Sequence, residues 1–126
     1  ESALLTAATS PRVEETLPML LAYGAQANAA SNDGETVLMK AAKSRYYALD
    51  SATIALLFKS GAKINATDRE GWTALMYAAD SGHTELVKLL LDQRADSEMV
   101  NAEGDNALAI ASKQGHKKII NLLRAR

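Results

Sequence analysis

The sequence predicts an all-α repeat solenoid, a single domain in which short helix pairs stack along one axis. Two observations lead to this prediction. A segment that opens with glycine and runs into small residues recurs at 34–42, 71–79 and 104–112, with the glycines 37 and 33 residues apart. Each copy then continues into a second apolar run. Two short helices cannot bury their own apolar faces, so the copies are expected to stack.

Each repeat is expected to contain two short amphipathic helices followed by a turn. In the third repeat, which is the most regular, Ala78 and Ala79 share one face of the first helix, and the leucines of 86–90 share one face of the second. Gly82 separates the two helices where a left-handed residue is favoured. Gly61 follows a second helix at the position of a C-terminal cap.

The start of each first helix has a signal of its own. Thr36 and Thr73 stand directly before these helices, where a hydroxyl can accept an unpaired backbone N–H. The N-terminal copy begins at Ser2 and lacks the opening glycine. We therefore expect one domain over 1–126, with repeats at about residues 1–28, 29–65, 66–98 and 99–126.

The third repeat reads D-x-x-G-x-T-A-L-x-x-A-A-x-x-G-H-x-x-L-V-x-L-L-L from Asp68 onward. This pattern resembles the ankyrin-repeat family, whose period is about 33 residues. The resemblance extends over essentially the whole chain and implies helix-turn-helix pairs joined by hairpin-like turns. Met39, Met76 and Ala109 depart from it, since the family usually has histidine there. Arg94 replaces a cap glycine, so strain is expected if the left-handed conformation is kept.

Composition excludes several classes of protein. The net charge is −1 with lysines and arginines spread along the chain, which predicts no nucleic-acid partner. No apolar run approaches the roughly 20 residues of a membrane helix, so no membrane partner is predicted. The chain has no cysteine, which excludes disulfides, thiolate metal sites and cysteine nucleophiles. The glycines suit turns rather than a phosphate loop, so no cofactor is predicted.

A catalytic site and a metal site are both disfavoured. Asp80, Ser81 and His83 include the residue types of a nucleophilic triad, but neighbours in one helix-ending turn point in divergent directions. His83 and His116 occupy equivalent repeat positions, roughly 10 Å apart if one helix spacing separates them. That distance is too large for a shared metal. We predict no catalytic or metal-binding residue, and expect the histidines to hydrogen-bond backbone at their turns.

The resemblance implies a protein that binds other proteins through its hairpin tips and the inner surface of its first helices, without catalysis. Trp72 and Tyr77 are the expected anchors, with Trp72 at an exposed tip, because interface energy concentrates in such side chains. Alternatively, Trp72 only packs over the neighbouring hairpin. Acidic residues recur around the glycine turns and are expected to align as a ridge. The full predicted set of partner-binding residues is Trp72, Tyr77, Arg69, Glu70, Asp80, Asp33, Glu35, Lys43, Tyr46, Tyr47, Glu103 and Asp105.

An insertion makes the second repeat about four residues longer than the third. It places Tyr46 and Tyr47 between the two helices of that repeat. Insertions in solenoids map to loops that often bind partners, which favours a second aromatic patch. Alternatively, the extra residues only lengthen both helices by a turn. The sequence leaves these two interpretations open.

The expected function is that of a protein inhibitor, immunity factor or adaptor that covers a partner's surface, such as an enzyme's active-site cleft. The alternative is a docking fragment of a larger scaffold protein. The partner is another protein, and the unbound chain is expected to be a monomer. The chain starts at Glu1 without an initiator methionine, which indicates trimming. The compartment is therefore open between the cytoplasm and an exported or periplasmic location reached through a removed signal.

Overall fold

The computed structural model describes residues 34–43 and 51–125. Within these ranges there are six α-helices and no β-strand, as predicted for an all-α fold. None of these helices is long and apolar enough to cross a membrane. In chain order they are α1 (Val37–Lys43), α2 (Ser51–Lys59), α3 (Ala74–Ser81), α4 (Thr84–Asp92), α5 (Ala107–Gln114) and α6 (Lys117–Arg124).

The first helices of successive repeats form one layer. Helix α3 contacts α1 on one side and α5 on the other, while α4 contacts α3 and α6. Ala78 and Ala79 are completely buried on α3, because small side chains let the neighbouring helices approach closely. Leu86 and Leu90 of α4 are buried as well. The core therefore runs continuously from repeat to repeat, which is what stacking of incomplete units requires.

The predicted helix caps are confirmed. The Thr73 hydroxyl accepts the N–H of Met76 at 3.2 Å, and the Thr36 hydroxyl accepts the N–H of Met39 at 3.4 Å. In the fourth repeat the side-chain oxygen of Asn106 accepts the N–H of Ala109 at 2.9 Å, a cap that was not predicted from the sequence. These bonds satisfy backbone donors that a helix start leaves unpaired, and they align the beginnings of the first helices.

Left-handed residues end several of the helices. Gly82 has φ +79° and caps α3, and Gly61, with φ +96°, follows α2 as expected. Arg94 has φ +67° and is the one non-glycine residue with positive φ in the described part of the chain. The cap geometry is thus kept where arginine replaces glycine, and the expected backbone strain is present.

Replacing Arg94 with glycine should stabilise the protein by about 0.5–1 kcal/mol. A side chain in the left-handed region costs about 1–2 kcal/mol, and part of the gain is offset by the greater freedom of glycine in the unfolded chain. Urea unfolding followed by circular dichroism measures the difference. The control is Gln93→Gly, because Gln93 has φ −89° and should lose stability instead. If Arg94→Gly were no more stable than the wild type, backbone strain at Arg94 would be contradicted.

The loops before the first helices form a row of stacked tips. Each tip is closed by its own backbone, with Asp68 N–H bonded to Trp72 O at 3.1 Å and Asn101 N–H bonded to Asp105 O at 3.0 Å. The two tips are joined by Ala102 N–H, which donates to the carbonyl oxygen of Glu70 at 2.9 Å. This row positions the side chains of the tips beside the first helices.

Candidate functional site

Two neighbouring clefts lie between the tips and the first helices. The first cleft has a volume of about 460 Å³ and is lined by Glu35, Lys43, Asp68, Arg69, Glu70 and Tyr77. The second cleft has a volume of about 250 Å³ and is lined by Trp72, Asp80, Glu103, Asp105, Ile110, Lys113 and Gln114.

The structure brings together all of the predicted partner-binding residues that it describes. Nine of the twelve line one or other cleft, five in the first and four in the second. Asp33, Tyr46 and Tyr47 lie outside the described residues, so the two interpretations of the insertion stay open. Binding by the nine residues remains a prediction, but their proximity means that one partner surface could touch them all.

An aromatic stack separates the two clefts. The rings of Trp72 and Tyr77 lie 4.9 Å apart between centroids and are inclined by 29°. Both side chains are partly buried and pack against the core. The expectation of an exposed Trp72 is therefore wrong, because Tyr77 of α3 covers part of its surface. The indole has a packing role within its own repeat and also borders the second cleft.

Asp68 holds the tip and the stack together. Its Oδ1 accepts the backbone N–H of Glu70 at 2.9 Å and that of Trp72 at 3.0 Å. Its Oδ2 accepts the hydroxyl hydrogen of Tyr77. Burial, followed by the hydrogen bond to this carboxylate and its negative charge, raises the pKa of the Tyr77 hydroxyl well above its ordinary value.

Asp68 was not in the predicted set, although a signal for it exists in the sequence. It stands three residues before the glycine of its repeat, and Asn101 stands at the same position in the next repeat. Asn101 is buried, and its Oδ1 accepts the N–H groups of Glu103 and Asp105 at 2.9 and 3.1 Å. The recurrence of a short side chain with an acceptor oxygen indicates a loop-closing residue.

Substituting Tyr77 with phenylalanine should lower stability by about 1 kcal/mol at pH 7, because it removes the donor to Asp68. The raised pKa makes this difference depend on pH. Above about pH 10 the unfolded chain releases the tyrosine proton while the folded chain retains it, so the advantage of the wild type declines as pH rises. Urea unfolding at pH 7, 9 and 10.5 measures the gap between the two proteins. A stability difference that stays constant over this pH range would contradict the hydrogen bond from Tyr77 to Asp68 and the raised pKa of Tyr77.

Ion pairs connect the tip to the end of the first helix in two of the repeats. In the second repeat Lys43 pairs with Glu35, and its ammonium also lies 5.1 Å from the ring centroid of Tyr77. In the fourth repeat Lys113 pairs with Asp105 at 2.6 Å, and this hydrogen bond raises the pKa of Lys113. Such exposed pairs add little stability, but they hold the side chains in place.

The predicted acidic ridge is partly neutralised by these pairs. Glu35 and Asp105 each have a lysine partner and are partly buried, whereas Glu70 and Glu103 are exposed at successive tips. Asp33 lies outside the described residues. The exposed negative charge of the tips therefore comes chiefly from Glu70, which lines the first cleft, and Glu103, which lines the second.

Residues considered for catalysis or for a metal site have other contacts. The Asp80 carboxylate accepts a hydrogen bond from the Gln114 side chain at 2.9 Å. His116 Nε2 lies 3.1 Å from the backbone oxygen of Asp80, which confirms the structural role expected for this histidine. A Cβ on Gly82 would lie only 2.9 Å from the His116 ring, so the two repeats meet closely here. Among the described residues no group of three acids or histidines is arranged to hold a metal.

Comparison with known proteins gives one clear match. A family model described as ankyrin repeats, in three copies, matches residues 46–126, more than half of the chain. No match to a curated protein was found. The matched range covers the third and fourth predicted repeats, with their tips, the aromatic stack and the whole of the second cleft.

Proposed function

Because the chain belongs to the ankyrin-repeat family, we propose that the face containing the two clefts binds another protein. Ankyrin repeats in general mediate interactions between proteins and are typically non-enzymatic. The observation that supports this face most directly is the Trp72–Tyr77 stack at the junction of the clefts. Tryptophan and tyrosine provide large contact areas with little loss of side-chain freedom, and interface energy concentrates in them.

We further propose that the chain acts without catalysis, as an inhibitor, immunity factor or adaptor that covers its partner's surface. The family supports this, because ankyrin repeats are typically non-enzymatic. A docking segment of a larger scaffold protein is the alternative. Assay of the captured partner separates inhibition from docking: an inhibitor or immunity factor lowers the partner's own activity when added in excess, whereas an adaptor or a docking segment leaves it unchanged.

A charge reversal at the tips tests which face binds. Glu70→Lys should reduce capture of the partner from a native extract several-fold, because Glu70 is exposed and lines the first cleft together with Tyr77. The matched control is Glu85→Lys, the same change at an exposed position on α4. Capture is measured by quantitative mass spectrometry of proteins retained on the immobilised chain. Equal retention by Glu70→Lys and the wild type, or equal loss in both variants, would contradict the assigned face.

A further inference from the structure

The two clefts share several equivalent positions of successive repeats. When the repeats are aligned on their glycines, Glu35 corresponds to Trp72 and Lys43 corresponds to Asp80. In the first cleft the chain supplies a cation, a carboxylate and an aromatic ring. The cation is Lys43, the carboxylate is Glu35 and the ring is that of Tyr77. Lys43 pairs with Glu35, and its ammonium lies 5.1 Å from the ring centroid of Tyr77. The first cleft therefore already contains its own cation.

The second cleft contains a ring and a carboxylate, but a different arrangement of charge. Trp72 supplies the ring, and Asp80 stands at the position that Lys43 takes in the first cleft. Lys113 also lines the second cleft, but its ammonium is engaged by Asp105 at 2.6 Å. With Asp80, Glu103 and Asp105 against this single lysine, the lining has an excess of two negative charges. A cation from outside the chain would complement it.

We propose that the second cleft receives an arginine side chain of the partner protein, with its guanidinium stacked on Trp72 and paired with Asp80. This inference rests on the proposed function, since it specifies what the partner contributes to the same face. It assigns to the partner the cation that the chain itself supplies in the first cleft.

The shape and polar groups of the second cleft favour arginine. A planar guanidinium stacks on an indole and donates two parallel hydrogen bonds to a carboxylate, whereas an ammonium is a compact, strongly hydrated charge. The Gln114 amide donates to Asp80 Oδ1 at 2.9 Å and so orients the carboxylate. At about 250 Å³ the cleft is smaller than the roughly 300–1,000 Å³ typical of small-molecule sites, which suits a single side chain.

The test uses a random heptapeptide library displayed on phage and selected on the intact wild-type chain. Enriched peptides are synthesised in two forms, with arginine and with citrulline, which has nearly the same shape but no charge. Dissociation constants are measured by fluorescence of Trp72, the only tryptophan of the chain. We expect arginine to be enriched at one position and its replacement by citrulline to weaken binding at least tenfold.

The same titrations on Asp80→Asn locate the arginine. The tenfold preference for arginine over citrulline should disappear in Asp80→Asn and persist in the control Glu85→Gln, which removes an equal charge on α4. Thermal unfolding checks that all variants are folded. A selection without arginine-containing peptides, enrichment of lysine instead, or an unchanged preference in Asp80→Asn would each overturn the inference.

Capture of the native partner separates this inference from the proposed function. Loss of capture in Trp72→Ala with full capture in Asp80→Asn would overturn the arginine assignment and leave the binding face intact. Full capture in both variants and in Glu70→Lys would overturn the binding face as well. Loss of capture in both Trp72→Ala and Asp80→Asn, with retention in Glu85→Gln, is the result expected if the binding face and the arginine assignment are both correct.

Discussion

Met76→Ala is expected to destabilise the protein by about 3 kcal/mol, within the range for truncating a buried methionine. Met76 is only 1% exposed, on the central helix α3 between α1 and α5. Its sulfur also lies 3.4 Å from the backbone nitrogen of Thr73, a weak acceptor for a buried N–H. The substitution therefore leaves a cavity and an unpaired donor together, at the first turn of the helix that presents Tyr77.

Two control variants separate these contributions to the free energy of unfolding. Met76→Leu retains most of the volume without the sulfur and should cost less than about 1.5 kcal/mol. Met99→Ala deletes the same atoms at a partly buried position and should cost clearly less than Met76→Ala. Urea unfolding monitored by circular dichroism measures all three. A loss below 1 kcal/mol for Met76→Ala would mean that the neighbouring helices collapse into the space.

Local spacing explains why much of the fold could be predicted. A cap such as Thr73 acts on a backbone N–H three residues away, and Gly82 is required by the geometry of one turn. The alanine pair of α3 shares a face because helical periodicity puts it there. Arg94 was expected to be strained if it kept the left-handed conformation of the glycine it replaces, and its φ of +67° shows that it keeps it. Each of these inferences needs only a short window of sequence.

Contacts that depend on side-chain direction were harder to predict. The bond from Tyr77 to Asp68 and the pairing of Lys43 with Glu35 join a loop to a later turn of the helix that follows it. No helical or strand period relates residues eight or nine positions apart across such a loop. The stack of Trp72 on Tyr77 depends in addition on the rotamers of both rings. The sequence therefore indicated which residues gather at the site, but not which of them contact one another.

The stack changes what is expected of Trp72. An exposed indole at a tip would contribute to binding alone, but Trp72 is partly buried against Tyr77 and the core. Its removal should therefore affect folding and binding together. Aromatic pairs contribute about 0.5–1.5 kcal/mol beyond the area they bury, so the loss of stability should be at least of this order.

Trp72→Ala should weaken binding of the partner by about 2 kcal/mol or more, equivalent to a roughly 30-fold rise in Kd. The indole borders the second cleft beside Asp80, so truncation removes both contact area and the surface on which a cation can stack. Trp72→Phe keeps a ring that can stack on Tyr77, so its affinity for the partner should lie between those of the wild type and Trp72→Ala. Titration calorimetry at 15 °C gives the affinities of all three.

The effects of Trp72 on folding and on binding can be separated with a second variant, Tyr77→Phe. Tyr77→Phe removes the hydroxyl bond to Asp68 but leaves a ring for Trp72 to stack on, so it should lower stability with less than a threefold change in Kd. If Trp72→Ala lowered the unfolding free energy while leaving Kd unchanged, the indole would be a packing residue only. If Tyr77→Phe weakened binding as much as Trp72→Ala, the tyrosine hydroxyl rather than the indole would be the dominant contact at the junction of the clefts.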